Sequence, residues 1–288
     1  MAGKNEELVA FSDAEAAKLV KLYQAAEKEL INEVSRGIVK GNETTYVRGI
    51  LANVKVILAE LEQGSRQWSQ SAIPAVYTKA IEEADAQMAA AHVAAGFGAI
   101  HQQAANILAQ STYGRLQDMT AFIGRRVDDL FRSISLASVR GTIVGYDSWQ
   151  KAAKKIRDSL AENGITGFTD KAGRAWDMST YADMVSVTTT MEAHLEGTRN
   201  RLLENDQQLV MVSEHGGSCR RCAPWEGRVL ALDDSYDGDY PIDGTLDDAR
   251  AEGLFHPRCR HAYGLYVPDL MDGSGDGIDE NNADDFQD

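Results

Sequence analysis

All three cysteines and three of the six histidines of this 288-residue chain fall within 47 consecutive residues: His215, Cys219-x-x-Cys222, then 33 residues, then His256-x-x-Cys259-x-His261. Thiolates at C-x-x-C spacing share one tight turn and reach the same tetrahedral ion, and the second cluster can complete the shell. The spacing predicts a structural zinc site made by Cys219, Cys222, Cys259 and one of His256 or His261. Four protein ligands leave no position for water, so such an ion staples loops together and does not catalyse. In a small sheet it supplies much of the folding free energy. Two other readings stay open: reduced thiols packed as small hydrophobes beside hydrogen-bonded histidines, and a redox C-x-x-C. The redox reading fits poorly, because Pro224-Trp225-Glu226-Gly227 leads into a strand and not into the helix of a thioredoxin-like unit.

Charge is patterned around these residues. Arg220, Arg221, Arg228, Arg258 and Arg260 flank them, and the intervening loop carries Asp233, Asp234, Asp237, Asp239, Asp243, Asp247 and Asp248. One reading is a basic face that meets an acidic partner or a phosphate while the Asp-rich loop projects outward; the other is a solvated surface of internal ion pairs. Asp233, Ser235, Asp237 and Gly238 imitate the start of a calcium loop. The twelfth position is Gly244 where a bidentate Glu is needed, which argues against calcium.

The elements that position the site differ between the two parts of the chain. Residues 1–165 carry 19 acidic and 19 basic side chains and one proline, Pro74. Ser12 and Glu15 have capping-box spacing ahead of a helix over about 13–38, with Leu19, Tyr23, Ala26, Leu30 and Val34 on one stripe. Ile50, Val54, Ile57, Leu58 and Leu61 mark a second helix ending near Gly64. Residues 68–74 read as a connector and 75–110 as an Ala-rich helix. Leu116, Met119, Ile123, Val127, Leu130, Ile134 and Ala137 form the longest stripe, which suits a bundle helix better than an oligomer seam. A further helix carries Trp149, Ala152, Ile156 and Leu160 and stops at Asn163-Gly164. His92 and His101 have no second ligand type nearby and read as packing or surface residues.

Phe168 and Trp176 flank a turn at Asp170-Lys171-Ala172-Gly173, which predicts a hairpin. Thr180 and Asp183 cap a helix over 180–204 whose Tyr181, Met184, Val187, Met191 and Leu195 give it a face for a sheet. Strands follow at 209–212, 228–232 and 262–267. The fold class is therefore α+β: an all-helical domain over 1–164, then a small antiparallel α+β domain over 165–268 with a zinc staple. The tail, 269–288, has eight acidic residues and no basic one and reads as disordered.

The formal net charge of -15 and pI near 4.8 exclude a protein whose main task is coating nucleic acid. The start of the sequence lacks the basic and apolar regions of a secretory signal, and no apolar run is long enough for a membrane span. An odd number of cysteines in a chain expected in a reducing cytosol argues against a disulfide framework.

LVMVSEHGGSCRRCAPWEGRVLAL followed by GLFHPRCRHAYGLYVP resembles the phage minor capsid proteins of the minor capsid protein 2 type, akin to phage head morphogenesis proteins. FTDKAGRAWDMSTYADMVSVTTTMEA and LVKLYQAAEKEL are also similar to that family. The matching motif positions are Cys219, Cys222, Trp225, Gly227, His256, Pro257, Cys259 and His261. Arg258 departs from the family's HPNCRH run, where Asn is expected. The resemblance implies a virion component made in the host cytoplasm. It would be non-enzymatic, near the portal vertex, and oligomeric in the assembled particle. Its partners would be the portal and other head proteins; separately, the net charge does not exclude local contact with packaged DNA through Arg220, Arg221, Arg228, Arg258 and Arg260. The rival class is a zinc-stapled nuclease, with His215 and an acidic-loop Asp as catalytic groups beside a second metal.

Overall fold

The structure, a computed structural model, describes residues 2–40, 44–94, 101–144, 167–169, 173–214 and 216–271. Helices α1 (Ala2–Lys40), α2 (Thr44–Ala90) and α3 (His101–Val144) come first. The hairpin strands β1 (Phe168–Thr169) and β2 (Ala175–Trp176) precede α4 (Met178–Glu204). Then follow β3 (Leu209–Val212), a 3-10 turn (Ala223–Trp225), β4 (Val229–Ala231), β5 (Gly244–Thr245), α5 (Leu246–Ala251), β6 (Tyr263–Leu265) and α6 (Pro268–Met271). Contacts gather the chain into two units, one of Ala17–Ser69 and Gln110–Ser186, the other of Met1–Ala16, Gln70–Ala109 and Val187–Asp288.

The first unit is built from the predicted helical stripes. Leu19, Tyr23, Ala26, Leu30, Val34, Ile50, Val54, Ile57, Leu58, Leu61, Leu116, Met119, Ile123 and Val127 are all buried. Leu130, Ile134 and Ala137 lie outside the described side chains, as does the helix expected around Trp149 to Gly164. The Tyr23 hydroxyl hydrogen-bonds Ser65 Oγ at 2.9 Å, and burial pushes its pKa up to about 12. Tyr113 donates to Glu62 at 2.6 Å. The hairpin forms with Phe168 opposite Trp176.

Several expected boundaries are corrected. Ser12 is no cap: it lies inside α1, fully buried, and its hydroxyl donates to the Leu8 carbonyl at 2.9 Å. A serine can return its hydrogen bond to the preceding turn and so serve a helix interior. Gly64 and Pro74 do not end α2, since Ser65, Trp68, Ser69, Ala72, Ile73, Val76 and Tyr77 continue a buried stripe through both. The Ala-rich stretch instead breaks after Ala90, where His92 takes φ 56°. The cap of α4 is Asp177, whose carboxylate accepts from the Thr180 amide at 2.8 Å and hydroxyl at 2.7 Å. Helix α4 lays more than one face inward. Val187, Thr189, Thr190, Met191, Ala193, His194, Leu195, Thr198, Arg201 and Leu202 are buried, and small or hydroxylated side chains let neighbours approach.

In the second unit the strand order is β5-β4-β3-β6. Strand β3 pairs antiparallel with both β4 and β6, whereas β5 adds parallel to β4, so the sheet is mixed and not purely antiparallel. Alternation along the strands sends Val210, Val212, Leu230, Tyr263 and Leu265 into one core with Ala84, Met88, Leu195 and Leu202. Leu209, Val229 and Tyr266 face the other side, where Tyr236, Tyr240 and Ile242 cover them. The Asp-rich loop thus folds back onto the sheet instead of projecting outward. At the outer edge of β6, the Leu265 amide donates to Gln87 Oε1 at 2.8 Å. Arg201, buried in α4, reaches Asp85 at 2.6 Å and Glu204 at 2.8 Å, and Glu204 also holds His101 at 2.8 Å. His101 is thereby a packing residue.

Candidate metal centre

Both halves of the Cys/His cluster are tight turns. The amides of Cys222 and Ala223 donate to the Cys219 carbonyl at 2.9 and 3.0 Å, folding the C-x-x-C back on itself before the 3-10 turn. The Cys259 amide donates to the His256 carbonyl at 2.9 Å, closing the second turn. That turn has Phe255 at φ 57° and Arg258 at φ 66°. Left-handed backbone at two large side chains is a cost that such a site imposes on its surroundings. The Arg258 amide is held by Thr188 Oγ1 at 3.2 Å.

The turns bring all five predicted residues together as two sets that share Cys222: Cys219, Cys222 and His256, and Cys222, Cys259 and His261, with ligand atoms within 4.8 Å in each. Cys222 Sγ lies 3.7 Å from Cys259 Sγ. Cys219 Sγ lies 3.2 Å from His256 Nε2, and Cys259 Sγ 3.4 Å from His261 Nδ1. Two thiolates on one tetrahedral zinc are separated by roughly 3.8 Å, given Zn–S bonds of about 2.3 Å, so the Cys222–Cys259 pair has the spacing of two ligands of one ion. Cys222, Cys259 and His261 are buried, while Cys219 is exposed.

The thiols differ electrostatically. Burial works against the Cys219 thiolate, but the Arg221 and Cys222 amides and His256 outweigh it and bring the thiol down to about 7. Burial and the neighbouring Cys259 push Cys222 up instead. A cation in contact with both sulfurs removes that penalty, as thiolate ligation requires.

Each imidazole has a partner on its far side. His256 Nδ1 lies 2.9 Å from the Pro257 carbonyl. His261 Nε2 lies 2.8 Å from Glu226 Oε1 and 3.0 Å from Ser218 Oγ. Ser218 also hydrogen-bonds Glu226. Neither Ser218 nor Glu226 stood out in the sequence, because ligand spacing encodes the ions' direct partners and carries no rule for what braces them.

Of the five arginines, Arg220, Arg221, Arg228 and Arg258 are exposed, and two of the five are paired with carboxylates. Arg228 pairs with Asp243 at 3.0 Å and Arg260 with Asp13 at 2.9 Å. Asp243 additionally accepts from the Val229 amide, Asp248 completes a capping box with Thr245, and Asp233 accepts from Ser235. His215 lies outside the described residues.

A profile of the family described as phage minor capsid protein 2 matches residues 12–286. A protein of Lactococcus phage LL-H named structural protein is 23% identical over 159 residues, 54% of this chain and 43% of that protein. The chain thus spans less than half the length of that relative. No solved structure matches the chain.

Proposed function

The chain belongs to the phage minor capsid protein 2 family, and from that membership we propose that it is a non-enzymatic component of the phage head acting near the portal vertex, braced by a structural zinc. The observation that carries the reading is the family match over residues 12–286. The similarity to a phage structural protein supports it. Its partners would be the portal and other head proteins, met by several copies in the assembled particle. Of the arginines that could meet packaged DNA, Arg228 and Arg260 are engaged by carboxylates.

The residues that would hold zinc are Cys219, Cys222, Cys259 and one of His256 or His261. An ion bound there supplies a cross-link between the turn at 219–222 and the turn at 256–259, which are 33 residues apart. Cys222 and Cys259 belong to the main core of the sheet unit, so that cross-link acts where strands and helices pack.

Mass spectrometry and cross-linking of purified particles and proheads test the assembly role. The protein is expected in one or both, cross-linked to the portal; its absence from both overturns the reading. For the brace, elemental analysis of protein purified without a histidine tag is expected to give about one zinc per chain, on the single closed-shell argument. A metal-free protein with a fully folded sheet unit overturns it.

A further inference from the structure

We propose that His261, through Nδ1, is the imidazole ligand of the metal centre, and that Glu226, with Ser218, is the residue that positions it; this rests on the zinc reading above. Two imidazoles compete for one position, and their surroundings differ. His261 is 2% exposed and sits with the two buried thiols, Cys222 and Cys259. His256 is half-buried beside the exposed Cys219.

Hydrogen bonding fixes which nitrogen of His261 faces the sulfurs. Glu226 Oε1 lies 2.8 Å from Nε2. An ionised carboxylate only accepts, so Nε2 carries the proton and Nδ1 presents its lone pair. Nδ1 is the atom 3.4 Å from Cys259 Sγ. Sulfur and nitrogen ligands on one tetrahedral zinc are separated by roughly 3.6 Å, from bonds of about 2.3 and 2.0–2.1 Å. A carboxylate behind a ligating imidazole locks the ring's orientation and raises its basicity.

The bracing group is itself held. Ser218 contacts both Glu226 and His261 Nε2, and the Glu226 amide donates to the Ala223 carbonyl at 3.3 Å. Ser218, Cys219, Cys222 and Glu226 all lie on one nine-residue stretch, so folding that turn sets two thiols and the brace together. His261 then docks from the other side of the 33-residue excursion. The support of His256 is local: its Nδ1 lies 2.9 Å from the carbonyl of its own neighbour, Pro257.

The test uses the full chain, with zinc affinity measured by chelator competition and the ligand set read from the cobalt-substituted protein, whose thiolate charge-transfer band grows with each bound sulfur. Glu226→Ala is expected to weaken zinc binding about 10- to 100-fold, with Glu226→Asp recovering part of the loss. His256→Ala should keep the wild-type cobalt spectrum. His261→Cys should gain the intensity of a fourth thiolate; because this variant retains a ligand, it decides the matter even if Glu226→Ala fails to fold. Wild-type affinity in Glu226→Ala, or a three-thiolate spectrum in His261→Cys, overturns the proposal while leaving the zinc reading standing. A wild-type protein that binds neither zinc nor cobalt overturns both.

Discussion

The Tyr263 hydroxyl donates to the main-chain carbonyl of Leu195 at 2.7 Å, tying the edge strand β6 to the middle of α4 at a point where both residues are buried. Burial raises the phenol pKa further above its ordinary value, so the group remains a donor across the working pH range. Tyr263→Phe removes the donor and keeps the ring. The carbonyl retains its helical partner, so the expected cost is about 1 kcal/mol, read from the urea midpoint. A loss near zero would mean that this bond adds nothing to the packing of the ring.

His194 gives a pH dependence of definite sign. It is 1% exposed, and among the described residues neither ring nitrogen has a hydrogen-bond partner. Burial lowers its pKa from 6.5 to about 4. Below pH 6.5 the unfolded chain takes up a proton that the folded chain refuses, so stability falls as pH drops from 6.5 towards 4. The full loss is about 3 kcal/mol. His194→Leu should be more stable than wild type by a margin that widens from pH 7 to pH 4.5; a constant margin counts against this account.

Two glycines in helices should respond oppositely to alanine. A Cβ at Gly197 meets the Tyr77 carbonyl oxygen at 2.7 Å and Ala80 Cβ at 2.9 Å. Nothing lies within 4 Å of one at Gly114. Gly197→Ala is expected to cost about 1–3 kcal/mol by forcing α2 and α4 apart. Gly114→Ala should gain up to about 1 kcal/mol from helix propensity. Thermal melts of the two variants, one shifting down and one up, are the check.

Arg258 stands at φ 66° where the family resemblance leads one to expect Asn. Asparagine enters left-handed backbone more readily than arginine, and glycine does so without strain. Arg258→Asn or Arg258→Gly should therefore stabilise the metal-bound protein, for Gly by about 0.5–1 kcal/mol, the left-handed penalty of about 1–2 kcal/mol less glycine's larger loss of chain entropy. Unchanged melting temperatures in both variants would mean that interactions of the Arg258 side chain offset the backbone cost.

What was legible in the sequence follows from how each signal is generated. Burial stripes such as Leu116, Met119, Ile123 and Val127 are fixed by helix periodicity alone and appear as expected. Strands β3, β4 and β6 are likewise apolar runs too short for helices. Helices do not end at Ser12 or Pro74, because one residue's capping chemistry or missing amide is weaker than a buried stripe that runs on through it. Strand β5 and α5 carry almost no periodicity in two and six residues; their signal was the Thr245/Asp248 capping box. The Cys/His spacing located the metal centre, whereas Glu226 acts across 35 residues of chain on His261, a relation that only folding creates.

Gln87 has a consequence for assembly. Subunits in a growing particle meet repeatedly and at high local concentration, conditions under which a bare strand edge recruits the same edge of another copy. Gln87 Oε1 occupies the outward amide of Leu265, and a Cβ at position 264 would come within 3.0 Å of that oxygen, so Gly264 lets the amide side chain lie against the edge. A second strand laid against β6 would have to displace the Gln87 side chain before it could pair there.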